Sequence, residues 1–240
     1  MLKDSLISVI IPTYNEAENI QSVLEGIVNN LDNKKDIGYE IIVVDDDSSD
    51  KTVEIAEAVL KNNGKVVRRR EVTKSLSLSV LEGIEESNGD IIVIMDGDGS
   101  HPADLIPVFI SNIKDGYDLI IGSRYVPGGG TKYFPLSRKI ISRFACFLGK
   151  IVTRVKDNTS GFICVKKNAL KGVNLTPAGF KIGLEIFVKA DYHKFKEIPY
   201  IFINRRKGES KLKGITVLEY ICQIVRLLRY RNSKYRKTCS

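Results

Sequence analysis

The sequence contains no tryptophan, and only two of its 240 residues are histidines, which excludes a multi-histidine metal site. No apolar run approaches the roughly 18–20 residues that a membrane-spanning helix needs. The few cysteines show neither CxxC nor another metal-type spacing, so we predict free thiols, three of them in apolar surroundings, instead of disulfides or a zinc site. They are Cys146, Cys164, Cys222 and Cys239.

The N-terminus also lacks the layout of a secretory signal peptide. Its short apolar run, Leu6–Ile11, is followed by Pro12 and polar residues instead of a small-residue cleavage site. We therefore expect a cytoplasmic protein without a membrane span. Apolar residues make up 43% and charged residues 28% of the chain, a balance typical of globular proteins, and the length allows a full α/β core.

Positive charge is concentrated at one end of the chain. Residues 201–240 contain 11 Lys or Arg against two Glu, a net charge of +9, whereas the whole chain carries +8. Such asymmetry indicates a polyanionic partner, such as nucleic acid, anionic lipid or phosphate, unless the basic end serves only solubility. The count alone leaves these alternatives open, but no RNP, KH or helix-turn-helix pattern supports nucleic-acid binding.

The first half of the chain alternates strand-like and helix-like segments. Short apolar runs predict strands over 6–11, 39–44, 65–69, 90–95 and 117–121. Helical spacing predicts helices over 16–31 and 77–86, and two further helices are predicted to begin after Asp50, as an N-cap, and at Pro102, as the first helical residue. Continuous apolar strands separated by helices are typical of a parallel sheet covered on both faces, which predicts a doubly wound α/β domain. Because ligands of such domains bind beyond the carboxyl ends of the strands, the residues after each strand are the candidates for chemistry.

The second half is less regular. Residues 126–134 contain Pro-Gly-Gly-Gly and predict a mobile loop, whereas 137–155 predict a helix with a broad apolar face. Strands are predicted over 162–165 and 197–204, and a last helix with a narrow polar stripe over 214–230. Such a helix either packs on the core or lies in a membrane interface with its cations toward anionic lipid.

Acidic residues follow two of the predicted strands. The second strand runs into DDDSSD (45–50), where adjacent carboxylates are unfavourable unless a base edge, a ribose diol or a metal binds them. The fourth runs into DGDGS (96–100), and carboxylates two residues apart suit a divalent cation shared with a diphosphate. An acidic turn before a helix is the alternative for both. No GxGxxG follows the first strand, which argues against a dinucleotide-binding turn.

Together these segments resemble the family-2 glycosyltransferases of the GT-A fold, through PTYNE (12–16), VVDDDSSD (43–50) and MDGDGSHP (95–102). Later segments narrow the resemblance to the dolichol-phosphate (polyprenol-phosphate) mannose synthases. These segments are GSRYVPGGG (122–130), SRKIISRFA (137–145), DNTSGF (157–162) and EIPYIFINRRKGESKLKG (197–214). The similarity extends over roughly residues 6–230, and it implies transfer of mannose from GDP-mannose to a polyprenyl or dolichyl phosphate.

The resemblance also implies a role for each site residue. The nucleotide sugar would be held by Pro12, Tyr14, Glu16, Val44, Asp46 and Lys74. The diphosphate and a Mg²⁺ or Mn²⁺ ion would be held by Asp96, Gly97, Asp98 and Ser100. The acceptor phosphate would be held by Arg124, Arg138 and Ser142, which with Asp98 form the implied catalytic set. Arg205 and Lys211 would contact phosphate charges as the site closes.

The chain departs from the family pattern at two notable places. Many relatives have DADLQHP, so Ser100 stands where they carry a glutamine that would help bind the metal. Relatives often carry KxGLGxA, whereas residues 74–80 of this chain read KSLSLSV and contain no glycine. Because serine does not reach positive φ without strain, we expect this loop to differ locally or to be strained.

The resemblance implies one transferase domain over 1–210, with a donor half to about residue 125, an acceptor half over 126–210, and a basic amphipathic helix and tail over 211–240. It implies peripheral contact with an anionic membrane on its cytoplasmic face and no nucleic-acid partner; a membrane-anchoring partner is left open. The alternatives are a dolichyl-phosphate glucose synthase using UDP-glucose, another family-2 glycosyltransferase, a nucleic-acid-binding protein, or a degenerate nucleotide-sugar binder.

Overall fold

The structure is a computed structural model that describes residues 5–34, 37–71, 73–176, 182–203 and 215–238. Its strands, in chain order, are β1 (Ile7–Thr13), β2 (Tyr39–Asp45), β3 (Gly64–Arg68), β4 (Ile91–Ile94), β5 (Leu119–Ser123), β6 (Gly130–Lys132), β7 (Ile163–Lys166), β8 (Phe195–Pro199) and β9 (Ile201–Ile203). Its helices are α1 (Ile20–Asp32), α2 (Thr52–Leu60), α3 (Leu76–Glu85), α4 (Leu105–Lys114), α5 (Leu136–Gly149), a 3-10 helix (Lys167–Leu170), α6 (Ile182–Lys189) and α7 (Ile215–Thr238).

Seven strands form one sheet in the order β3-β2-β1-β4-β7-β5-β8, and β6 pairs with β9 separately. The first four strands of that order are parallel, whereas β7 runs antiparallel to both of its neighbours. The predicted mostly parallel α/β sheet is therefore confirmed. Parallel register brings the carboxyl ends of β1, β2 and β3 to one edge, where Thr13 pairs with Asp45 and Asp45 with Arg68.

The apolar strands are buried because helices cover both faces of the sheet. One apolar cluster packs α1, α2 and α4 against the sheet, and a second packs α3 and α6 against it. A third, smaller cluster joins α7 to α6 and to the residues that follow α5. Within the described ranges, none of the helices combines the length and hydrophobicity that crossing a bilayer requires.

The strands and helices in the first half of the chain lie within a few residues of their predicted ranges, but the helices begin at other residues than we predicted. Helix α1 begins at Ile20, since the preceding residues form a loop hydrogen-bonded to the segment after β2. We interpreted Pro102 as the first residue of a helix, which is wrong. Helix α4 begins at Leu105, and Pro102 lies in the turn before it, where its carbonyl accepts the Leu105 N–H (3.2 Å).

The second half departs more from the prediction. The segment 126–134, which we predicted to be a mobile loop, contains strand β6. This strand pairs with β9, far along the chain, and a pairing between distant residues leaves no signal in the local sequence pattern. The strand predicted over 197–204 is two strands, β8 and β9, and α6 was not predicted. Helix α5 ends at Gly149, where the Asn158 side chain donates to a carbonyl of its last turn. Cys146 and Cys164 are buried free thiols as expected, whereas Cys222 is exposed.

Candidate active site

The loops that follow β1 and β2 are hydrogen-bonded to each other at three successive residues. The bonds run from Asn15 N–H to Ser48 Oγ (2.8 Å), from Glu16 N–H to Thr52 Oγ1 (2.8 Å) and from Ala17 N–H to Asp50 Oδ2 (3.1 Å). Asn15 and Asp47 both adopt positive φ, a conformation that asparagine and aspartate tolerate better than most residues. The PTYNE loop is thereby held against the acidic turn.

The carboxylate of Asp45 is satisfied by hydroxyls and backbone of the protein. Its Oδ2 accepts the Thr13 hydroxyl (2.9 Å) and the Ser48 hydroxyl (2.6 Å), and its Oδ1 accepts the Ser48 N–H (2.8 Å). Asp45 therefore joins the end of β1 to the turn after β2, a structural role.

Asp46 forms a buried ion pair that the sequence did not reveal. Its Oδ1 lies 2.5 Å from Arg69 Nη1, and its Oδ2 accepts the Ser75 N–H (2.6 Å). The side chains of Asp46 and Arg69 are only 7% and 3% exposed, and Arg69 Nε lies 2.8 Å from Glu82 Oε2. Arg69, directly after β3, thus supplies much of the charge compensation that we expected from a ligand. Each carboxylate oxygen of Asp46 retains a second lone pair for one.

Tyr14 and Lys74 lie together beside this ion pair. Lys74 Nζ is 4.3 Å from the centroid of the Tyr14 ring, 3.3 Å from its hydroxyl, and 3.2 Å from the Asp47 carbonyl oxygen. Pro12 and Val44 are buried and face each other in the β1–β2 register. The predicted donor residues of the first two strands and Lys74 are therefore brought to one edge of the sheet.

The serine-rich stretch before and within α3 is not strained, contrary to our expectation. Ser75 is the N-cap of α3 in an extended conformation (φ −157°), and its Oγ accepts the Leu78 N–H (3.5 Å). Ser77 and Ser79 lie inside the helix and are buried. Among the described residues, none of these serines has positive φ. The stretch forms without glycine and without strain because the helix begins at Leu76 and includes most of it.

The second acidic motif follows β4. Asp98 Oδ1 accepts the Ser100 N–H (3.0 Å), and the Asp96 N–H donates to Nδ1 of His101 (3.0 Å). That bond leaves the proton of a neutral imidazole on Nε2, which lies 3.7 Å from Asp96 Oδ2. The imidazole is buried and stacks on the Phe162 ring, with 4.9 Å between the ring centroids. This packing fixes its position.

The residues of this motif fit a hard divalent cation. Two carboxylates and a hydroxyl are available, and Ser100 Oγ is buried without a hydrogen-bond partner among the described residues. In that part of the chain no three His, Cys, Asp or Glu side chains form a metal cluster. A cation held by Asp96, Asp98 and Ser100 would therefore complete its shell with diphosphate oxygens and water, as Mg²⁺ commonly does.

The segment 157–162 crosses next to the Asp96 carboxylate. A Cβ on Gly161 would lie 3.4 Å from Asp96 Oδ1, so the backbone passes close to this side chain, which stays partly exposed. Tyr200 also approaches this region, and burial together with the nearby carboxylates of Asp157 and Asp96 raises the pKa of its hydroxyl. Tyr200 therefore stays protonated at physiological pH.

Arg124, directly after β5, is held by the same segment. Its Nε and Nη2 donate to the two oxygens of Asp157 (2.8 and 2.6 Å), and Nη2 also donates to Thr159 Oγ1 (2.8 Å). Burial alone would lower the pKa of Arg124, but the hydrogen bonds and charge of Asp157 outweigh it and raise the pKa. The guanidinium is therefore permanently charged and fixed in orientation.

The other predicted acceptor residues lie on α5. The Tyr125 hydroxyl donates to Ser142 Oγ (2.8 Å), and the half-buried Arg138 lies 4.5 Å over the ring of Phe134. Phe134 in turn meets Phe202 edge-on at 5.5 Å, and the Arg124 guanidinium lies 5.6 Å from the Phe202 ring. Two aromatic rings thus connect the two arginines. Arg205 and Lys211 lie outside the described residues.

Comparison with known proteins identifies the family. Residues 8–172 match the family described as "Glycosyl transferase family 2". The chain belongs to this family. It is 45% identical over 228 residues to a dolichol-phosphate mannosyltransferase of Pyrococcus furiosus, covering 93% of this chain and 64% of that protein. It is 33% identical over 236 residues to the dolichol-phosphate mannosyltransferase of Saccharomyces cerevisiae, covering 93% of this chain and 87% of that protein.

The glycosyltransferase therefore spans less than two thirds of the length of its Pyrococcus relative. Among solved structures it resembles glucosyl-3-phosphoglycerate synthase from Mycobacterium tuberculosis in complex with Mn²⁺, UDP and glucosyl-3-phosphoglycerate. The TM-score is 0.69 at 20% identity, covering 96% of this chain and 81% of that one. At this identity the likeness concerns the fold, and it confirms the GT-A type that we predicted.

Sequence reasoning missed the residues that hold the glycosyltransferase site in place. Arg69 belongs to the run 68–70, which follows a strand that is parallel to and next to β2, and this run was the available signal. His101 is one of only two histidines and comes directly after the acidic motif. Asp157 lies in the DNTSGF segment, which we used only for the resemblance, because nothing local shows that it reaches Arg124.

Proposed function

We propose that this glycosyltransferase moves mannose from GDP-mannose to a polyprenyl or dolichyl phosphate, with inversion at the sugar and with Mg²⁺ or Mn²⁺ as cofactor. The observation that carries the proposal is the position of the segment 157–161. Its first residue holds Arg124, and a Cβ on its last, Gly161, would lie only 3.4 Å from the Asp96 carboxylate. The two proposed groups are therefore neighbours: Asp96, which would bind the cation of the donor diphosphate, and Arg124, which would anchor the acceptor phosphate. The mannosyltransferase names of the relatives support this choice of sugar and acceptor.

The proposed reaction needs no general base. An oxygen of the lipid phosphate forms a bond to the anomeric carbon of mannose, and the bond from that carbon to the GDP oxygen breaks. A phosphate monoester carries between one and two negative charges near neutral pH, so its nucleophilic oxygen is already deprotonated. Both described histidines fit this expectation, since His101 is buried under Phe162 and His193 lies beside β8, away from the acidic motif.

Electrostatic positioning is the main task left to the protein. The acceptor phosphate and the donor diphosphate repel each other, and a planar guanidinium binds phosphate oxygens through paired hydrogen bonds. Arg138 and Arg124 would supply that charge to the acceptor, and Ser142 would add a hydroxyl. A divalent cation bound at Asp96 and Asp98 would neutralise the leaving diphosphate as a Lewis acid. Tyr14, Asp46 and Lys74 would hold the nucleoside.

The lipid acceptor also accounts for an apolar surface that the fold leaves uncovered. Large apolar side chains on α5 and directly after it are 47–73% exposed, namely Leu136, Ile140, Ile141, Phe144, Phe147 and Ile151. On α7 the exposed ones are Leu218, Ile221 and Val225. The opposite face of α7 is buried through Tyr220, Ile224 and Leu227, so this helix packs on the core and also presents an apolar face. We propose that these faces rest on the cytoplasmic side of an anionic membrane, in reach of the polyprenyl chain.

The test is transfer of radiolabelled sugar from a panel of nucleotide sugars into a lipid-extractable product. The purified chain is incubated with Mg²⁺ or Mn²⁺, polyprenyl phosphate, and either GDP-mannose or UDP-glucose. We expect label in the lipid phase with GDP-mannose and at most a small fraction of it with UDP-glucose. Label from UDP-glucose alone would establish the glucose synthase alternative. Label from neither donor would overturn the proposed acceptor class.

A further inference from the structure

The side-chain amide of Asn158 is completely buried between α5, α7 and the segment that holds Arg124. Its Nδ2 donates to the carbonyl of Cys146 in the last turn of α5 (2.8 Å), and its Oδ1 lies 3.1 Å from the hydroxyl of Tyr220 on α7. A Cβ on Gly149 would lie 2.3 Å from Asn158 Oδ1, so only glycine lets the end of α5 approach the amide so closely. Both helices are therefore tied to one residue.

The Tyr220 hydroxyl bridges the two helices as well. It lies 3.1 Å from the carbonyl of Ala145 and 3.1 Å from Asn158 Oδ1, so its single proton is shared between two acceptors. Tyr220 is 5% exposed, and its ring belongs to the small apolar cluster that attaches α7. Its hydroxyl makes a polar contact between α7 and the 157–162 segment.

The residues on either side of Asn158 hold Arg124. Asp157 and Thr159 both accept hydrogen bonds from the guanidinium, and the Thr159 hydroxyl lies 3.3 Å from Cys146 Sγ on α5. The segment itself is braced, since Glu197 Oε1 accepts the Asp157 N–H (3.0 Å). A displacement of the Asn158 amide therefore moves the two groups that set the direction of the Arg124 guanidinium.

We propose that Tyr220 is a positioning residue for the acceptor phosphate, acting through the Asn158 amide on Asp157, Thr159 and so on Arg124. The inference rests on the proposed function, because it takes Arg124 as the acceptor anchor. The helices that carry the exposed apolar faces are the same two that hold Asn158. The orientation of α5 and α7 on a lipid surface and the direction of the phosphate-binding guanidinium are thereby linked through one buried side chain.

The test compares Tyr220→Phe with Tyr192→Phe. Each change removes one hydroxyl from a largely buried ring without changing its packing, and the Tyr192 hydroxyl donates to the Phe187 carbonyl, outside the Asn158 contacts. The loss of one buried hydrogen bond predicts an increase of ~5-fold in the KM for acceptor with Tyr220→Phe. We expect the KM for GDP-mannose and the affinity for GDP to stay within about twofold, and Tyr192→Phe to leave all three values unchanged.

Two further measurements separate positioning from membrane binding and from loss of fold. A short-chain, water-soluble polyprenyl phosphate without vesicles should show the same increase in KM, and co-sedimentation with anionic vesicles should not change. Thermal melting should show the same small decrease in Tm for both variants. An unchanged acceptor KM in Tyr220→Phe, or an equal increase for both substrates, would overturn the inference while leaving the proposed function standing. Absence of transfer by the wild-type chain would overturn both.

Discussion

Two regions of the molecule differ in how their side chains are partnered. One is the donor edge, at the carboxyl ends of β1, β2 and β4, and the other is the acceptor side, which α5 and α7 form. At the donor edge, the buried carboxylates of Asp45 and Asp46 are hydrogen-bonded or ion-paired within the protein. On the acceptor side, large apolar side chains of α5 and α7 are left exposed. Under the proposed function, the donor site is thus organised before a small polar ligand arrives, whereas the acceptor side would be completed by the surface of a bilayer.

The comparison has a physical basis in the two ligands. A nucleotide sugar comes from water, and its binding groups must be fixed in advance, because a buried charge that lacks a partner is costly. A polyprenyl phosphate comes from a bilayer, which can cover apolar side chains that are unfavourable in water. Arg124 combines features of both regions. It is buried and ion-paired, as the side chains of the donor edge are, but it lies next to α5.

The largest effect that we expect comes from Asp98→Ala, which removes one of the two carboxylates on which the donor edge depends for its diphosphate. The loss of several kcal/mol of charge stabilisation predicts a decrease of roughly 1,000-fold in kcat/KM, with Asp96→Ala only slightly less severe. Excess EDTA should abolish the activity of the wild-type chain. Asp104→Ala is the matched control, because Asp104 is exposed and makes no side-chain cap to α4. Wild-type turnover by Asp98→Ala, or full activity in EDTA, would contradict the role of the metal.

The second prediction concerns the buried ion pair at the donor edge. In Arg69→Met, the carboxylate of Asp46 stays buried without its partner, which predicts a loss of about 3 kcal/mol in the free energy of unfolding. Denaturant titration measures this loss, and GDP affinity should fall with it. Arg68→Met is the control on the neighbouring residue, since the Arg68–Glu57 pair is 43% and 55% exposed and 3.5 Å apart. That exposed pair should contribute less than about 0.5 kcal/mol. Equal losses in both variants would mean that the buried Asp46–Arg69 pair stabilises the protein no more than the exposed Arg68–Glu57 pair does.

The sequence predicted the donor edge better than the acceptor side for reasons that follow from the fold. Parallel strands such as β1, β2 and β4 are continuous apolar runs, and their carboxyl ends meet at one edge, so Asp46 and Asp96 could be placed from local pattern alone. The partner of Asp46 could not, because Arg69 follows a weaker strand whose neighbour in the sheet is not evident from its own residues.

The acceptor side depends on contacts between residues far apart in sequence. Asp157 meets Arg124 across 33 positions, and Asn158 meets Tyr220 across 62. Strand β6 exists because β9 pairs with it. The residue types of these segments carry no period or capping signal that encodes such pairs. Only the resemblance pointed to Arg124, Arg138 and Ser142, and it said nothing of what holds them.

The third prediction separates the two regions by substrate. Arg138→Ala removes a cation near the start of α5, and the loss of charge-assisted hydrogen bonds to phosphate predicts an increase of ~30-fold in the KM for the lipid acceptor. The KM for GDP-mannose should change less than about threefold. Arg143→Ala is the control on the same helix, because Arg143 is exposed and is not among the residues assigned to the acceptor phosphate. Equal effects of Arg138→Ala on both substrates would assign this arginine to folding or to donor binding.

The smallest effect should come from the basic end of α7, which tests whether the acceptor side is completed by a membrane. Deletion of residues 231–240 removes four cations and, among other contacts, the hydrogen bond from Arg231 Nη1 to the Ile151 carbonyl (2.9 Å). A basic residue near an anionic surface contributes about 1 kcal/mol, so one or two such contacts correspond to roughly a tenfold change in binding. We therefore expect a decrease of ~10-fold in partitioning onto anionic vesicles, measured by co-sedimentation, with a circular dichroism spectrum that loses only the helical signal of the deleted end of α7. The difference should vanish in 1 M salt, where the screening length is about 3 Å, and on neutral vesicles, where only the apolar faces of α5 and α7 bind. Unchanged co-sedimentation of the truncated chain would remove the basic end from membrane binding. Failure of the intact chain to sediment would mean that something other than a bilayer covers the exposed faces of α5 and α7. A protein partner would then have to explain the contrast between the donor edge and the acceptor side.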